Sequence, residues 1–144
     1  MNYIKDFIYA YMCTIGFAFL FNVPKNSILR TGFGGALGWT IYLMMNYYSD
    51  SVVISTFIAS FIIALMGEIF AIREKQPVTI FIIPAIVPLV PGFGLYYTVL
   101  SILEKDYDLV IRYGSESLLI AIAIAGALTV VLSLNSYRKE RKKV

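Results

Sequence analysis

Pro84, Pro88 and Pro91, followed closely by Gly92 and Gly94, interrupt one long apolar run over about 78–103. Each interior proline removes a backbone donor and crowds the preceding turn, so a helix written over this run breaks near its middle. A broken helix offers carbonyls at one half-helix end and amide donors at the other. At membrane depth such backbone is tolerated only where it faces protein or a watery cavity. The chemistry this permits is the binding of a small ion or solute. A second half-helix starting near Pro91 and Gly92 would aim its amide end at an anionic group such as a carboxylate. The alternative is a plain structural kink, since proline is commoner in membrane helices than in soluble ones.

The polar side chains within reach of such a break are few. Glu68 lies about one turn from the end of another apolar run, where an ionisable group is costly unless it finds water or a partner. Its candidate roles are proton coupling and cation contact, and the alternative is an interfacial pair with Arg73 or Lys75. Arg30 opens the second apolar run, where it either attracts an anionic solute or snorkels to lipid headgroups. Glu104, Asp106 and Asp108 crowd together but lack the spacing and glycine of a calcium loop, so they read as surface charge rather than a metal site. Histidine is absent and Cys13 is the lone cysteine, which removes the commonest general base and any intrachain disulfide. Without a glycine-rich phosphate cradle and its lysine, nucleotide hydrolysis is not expected. The reading is of a protein that is not an enzyme and holds no cofactor.

The elements that position these residues follow from composition. Of 144 residues, 59% are hydrophobic and only 15% charged, with a mean hydropathy of +0.77. A soluble domain carries about 25% charged residues to wet its surface, so lipid must cover this one. Apolar stretches over about 6–22, 29–48, 52–72, 78–103 and 116–136 each approach the roughly 20 residues that a helix needs to cross a bilayer. The fold expected is an all-α polytopic membrane bundle of about five transmembrane helices, the fourth broken by prolines. It forms a single transmembrane domain over 1–144 with a basic cytoplasmic tail over 137–144. No small-residue cleavage site follows the first stretch, so that helix is expected to remain. Gly34 and Gly38 on the second stretch have the small-xxx-small spacing that lets another helix approach closely.

Basic residues divide unequally between the two sides of this arrangement. Lys25, Arg30, Arg73, Lys75 and the tail bases Arg138, Lys139, Arg141, Lys142 and Lys143 fall on one side, against Lys5, Lys105 and Arg112 on the other. The positive-inside rule then places the C-terminus in the cytoplasm and the N-terminus outside. Tyr47, Tyr48, Tyr107, Tyr113 and Tyr137 fall near helix ends, where an amphipathic ring suits the interface. The net charge of +3 comes from the tail, and no basic stripe supports nucleic-acid binding.

Read in order, the run Phe21-Asn22-Val23-Pro24, the segment from Gly35 to Trp39, the Gly67-Glu68 pair with Arg73 and Pro77, and the proline-rich run from Ile83 to Gly92 resemble the threonine/serine exporter family. The chain is most similar to that family's small five-helix membrane subunit, which corresponds to the C-terminal half of its single-chain exporters and to the small subunit of a two-component succinate exporter. The resemblance implies secondary export of small metabolites that carry a carboxylate, together with a larger membrane subunit of the same family. It points to Pro84, Pro88, Pro91 and Gly92, with Glu68 and Arg73 as polar neighbours. The alternative class is a non-transporting membrane scaffold that stabilises a partner protein. A homo-oligomer is a further possibility, because five helices from one chain rarely enclose a path alone.

Overall fold

The structure, a computed structural model, describes residues 2–141, with side chains described as far as 134. The charges of the basic tail, Arg138 to Lys143, fall outside the described side chains. The described residues fold into helices: α1 (Tyr3–Leu20), α2 (Lys25–Ser49), α3 (Val52–Glu74), α4 (Thr79–Ile86) with a 3₁₀ turn over Val87–Leu89, α5 (Gly92–Glu104) and α6 (Tyr107–Arg141).

The turns are tight because single residues take up the change of direction. Asp50, Lys75 and Lys105 close α2, α3 and α5 in the left-handed conformation, and their amides cap the preceding carbonyls. Asn22 has the same positive φ between α1 and α2. At the starts of helices, the Ser51 hydroxyl accepts the Ile54 amide, and Asp106 Oδ1 accepts the Leu109 amide at 3.1 Å. That aspartate cap explains why α6 begins at Tyr107, well ahead of the expected span over 116–136. The acidic cluster around it is therefore the turn and first turn of a helix.

Packing defines the layout. α2 lies antiparallel between α1 and α3, and glycines set both approaches. A Cβ on Gly38 would overlap Ile63 of α3, while one on Gly32 would meet Ile15 of α1 at 2.8 Å and one on Gly35 would overlap Thr14. Gly34 makes only ordinary contact, with Phe70 at 3.9 Å from an added Cβ. The second half of α6 runs alongside α3 in the same direction, with Phe57 against Gly126 and with Ala64, Ile82 and Val131 in one apolar cluster. α4 is wedged among α1, α2 and α3. α5 instead packs on the first half of α6, where Gly94 meets Ser117 and Thr98 meets Gly114.

One end of the bundle, called here the basic end, thus gathers the end of α1, the starts of α2 and α4, and the end of α3. α3 over Val52–Glu74 and α6 over Tyr107–Leu134 are each long and apolar enough to cross a membrane. The pair Thr79–Leu89 and Gly92–Glu104, bent by 54°, makes a third such length when counted as one interrupted span. α1 and α2 are less apolar, carrying Lys5 and Asp6 in one and Lys25, Arg30 and Asn46 in the other.

Candidate functional site

The interruption is built by the prolines in distinct ways. Pro84 sits inside α4 and is fully buried, and its ring nitrogen offers no amide to the Ile80 carbonyl one turn back. Pro88 lies in the 3₁₀ turn. Pro91 acts on its predecessor: Val90 is forced to extended backbone, φ −62° and ψ 134°, which ends the 3₁₀ turn. Gly92 then opens α5. A Cβ added to Gly92 would meet nothing within 4 Å, whereas one on Gly94 would overlap the Ser117 hydroxyl. Gly92 therefore sits in open space beside the break, and Gly94 is the point at which α5 closes on α6.

Around the break the fold assembles aromatic and polar side chains that sequence spacing did not connect. Trp39 and Tyr42 of α2 stack at 5.1 Å between ring centroids and pack with Ile124 against the cluster holding Leu89. Phe93, Tyr97 and Tyr113 form a second ring group, with centroids 4.3 and 5.4 Å apart along the series.

A second region lies at the basic end. A cavity of about 240 Å³ is lined by residues 21–23 of the first turn and by Thr79, Ile80, Ile83 and Pro84 of α4. Arg30 is not left to headgroups alone: its Nη1 pairs with Glu74 Oε1, while Ser27 Oγ donates to Glu74 Oε2. Glu74 was not singled out by sequence, since it follows Arg73 in what reads as a charged turn. Arg73 itself is exposed in the last turn of α3. Glu68 is 9% exposed on α3, directly after Gly67, whose added Cβ would meet Ile82 of α4 at 2.6 Å. The structure thus brings Pro84 to the cavity and Pro91, Gly92 and Gly94 to the break. Glu68 lies beside the α3–α4 contact, and Arg30 sits on the α2–α3 seam against Glu74.

These features define an all-helical membrane protein, among its described residues, in which one apolar length is interrupted by a 54° bend. The family model described as "Threonine/Serine exporter, ThrE" matches residues 6–134, and the chain belongs to that family. A protein of Haemophilus influenzae described as an uncharacterized protein is 24% identical over 147 residues, which cover 99% of this chain and 50% of that relative. The chain spans about half the length of the curated relative it matches. No solved structure matches it.

Proposed function

We propose that this chain is one membrane half of a secondary exporter for small carboxylate-bearing metabolites, threonine and serine or a dicarboxylate such as succinate, and that a larger subunit of the same family supplies the other half. The observation that carries the reading is the α4–α5 interruption in a chain of this family: Val90 and Pro91 end one half-helix and Gly92, exposed, starts another. Paired membrane repeats commonly hold their solute at such interruptions, with helix amide ends facing anionic groups. The match to half of a longer relative supports a missing second bundle.

In this reading α1 and α2 complete five crossings of the cell membrane. The basic end, with Lys25, Arg30, Arg73 and Lys75, faces the cytoplasm and the N-terminus lies outside. Pro84, Pro88, Pro91 and Gly92 shape the path, Gly94 holds α5 on α6, and Glu68 is the buried acid of α3 assigned to ion coupling.

The test is efflux from cells that lack their own exporters, loaded with a threonine dipeptide or with succinate, expressing this chain with and without its partner. Loss of one cargo only when both chains are present supports the reading and names the solute. No efflux of either, with both proteins present in the membrane, sinks it and favours a scaffold that stabilises its partner.

A further inference from the structure

The cavity of about 240 Å³ at the basic end has walls of hydrocarbon: Phe21 and Val23 on the first turn, with Ile80, Ile83 and Pro84 on α4. Its polar side chains are Asn22 and Thr79, and among the described residues no charged side chain lines it. A carboxylate or ammonium solute entering it would shed water without gaining a counter-charge, whereas a hydrocarbon chain gains by leaving water. Phe21 is 51% exposed and Ile83 48%, so the cavity opens on the outer surface of the bundle, which is the surface that lipid covers. Its volume falls below the roughly 300–1,000 Å³ of sites that enclose a whole small molecule, which suits one part of a longer ligand.

Charge at this end selects the rest of that ligand. The basic end carries Lys25, Arg30, Arg73 and Lys75 against Glu74, whereas the other end holds six acids against Lys5, Lys105 and Arg112. Glu74 is taken by Arg30 and Ser27, which leaves Lys25 and Lys75 exposed and outside any ion pair among the described residues. Lys25 follows Val23 of the cavity wall by two residues, so its Cα stands within about 7 Å of that residue's Cα. Lys75 begins the linker that leads to Thr79. From the end of the bundle inward the order is therefore Lys75, then Thr79, then Ile83 and Pro84: a cation, a hydroxyl, then hydrocarbon.

We propose that this cavity seats one acyl chain of an anionic phospholipid, whose phosphate is held by Lys25 and Lys75 and whose glycerol region meets Asn22 and Thr79. Basic pockets between membrane helices recognise anionic headgroups in this manner, and the buried chain adds the fixed position that a charged rim alone would not give. The site needs a bundle covered by lipid and does not depend on export.

The test is native mass spectrometry of the purified chain, released from detergent that holds equal amounts of phosphatidylglycerol and phosphatidylcholine. One retained lipid per chain is expected, with phosphatidylglycerol preferred. Lys25→Gln should lower that preference about fivefold, the worth of one basic side chain beside an anionic headgroup, and Lys105→Gln at the other end should leave it unchanged. Ile83→Trp, which fills the cavity, should remove the retained lipid of either kind. Thr79→Phe fills it from the rim and serves should the tryptophan protein fail to accumulate. The inference is overturned if both filled variants keep their lipid, or if phosphatidylglycerol is held no more tightly than phosphatidylcholine. It is overturned equally if Lys105→Gln acts as Lys25→Gln does, which would mean diffuse attraction to charge, or if threonine or succinate displaces the lipid, which would place a solute in the cavity. The expected lipid pattern in a protein that shows no efflux would support the site and count against the exporter reading alone.

Discussion

Glycines that look alike in the sequence have unlike surroundings. Gly38 has no room for a Cβ because Ile63 occupies the space, whereas Gly92 has nothing within 4 Å. Gly38→Leu should therefore destabilise the bundle by about 1–3 kcal/mol through overpacking of the α2–α3 seam, read as a lowered midpoint of thermal unfolding in detergent. Gly92→Ala should leave that midpoint unchanged or slightly higher, because the backbone there is helical and alanine lowers the entropy of the unfolded chain. If the alanine variant keeps its stability yet loses efflux, close approach of solute to the Gly92 backbone is supported; full efflux would remove Gly92 from the path. The small-xxx-small pair at Gly34 and Gly38 was legible in the sequence, but its division of labour was not. Gly34 makes ordinary contact, and the close approaches to α1 fall to Gly32 and Gly35. Spacing marks a face on a helix, while the neighbour that fills the face comes from another helix.

Among the elements, the interrupted fourth run is the one whose character follows most directly from residue chemistry. Proline restricts the residue before it, and Val90 is accordingly extended ahead of Pro91. Pro91→Ala lifts that restriction and restores an amide donor. The expected outcome is a chain that still inserts and keeps its unfolding midpoint, with efflux lost as the two half-helices move toward one continuous helix. Unchanged efflux in Pro91→Ala would mean that the break is structural only. The start of α6 shows the opposite case. Residues 107–115 carry Asp108, Arg112 and two tyrosines and read as a loop, yet they form helix because Asp106 caps the end and α5 covers one side. A helix stabilised by a neighbour and a cap need not be apolar.

For the molecule as a whole, the positive-inside count makes a concrete expectation about its ends. A cysteine at Asn22, in a Cys13→Ser background, should be labelled from the cytoplasmic side, and one at Asp50 from the opposite side. Labelling of both from one face would reject the alternating five-crossing arrangement. Composition alone determined that the chain is helical and covered by lipid, because backbone groups without water can be satisfied internally only by helices or a closed barrel, and the runs are too long and too uniformly apolar for barrel strands. Local chemistry likewise determined that the fourth run breaks at its prolines. What only the tertiary structure decided is which chemistry meets which: that Glu74 takes Arg30, that Trp39 and Tyr42 pack against the cluster holding Leu89, that α4 is wedged among α1, α2 and α3, and that α5 leaves them for α6. The physical reason is that side-chain identity and spacing act along one helix, while pairing depends on rotation and crossing of helices far apart in the chain, which packing of the whole bundle selects together.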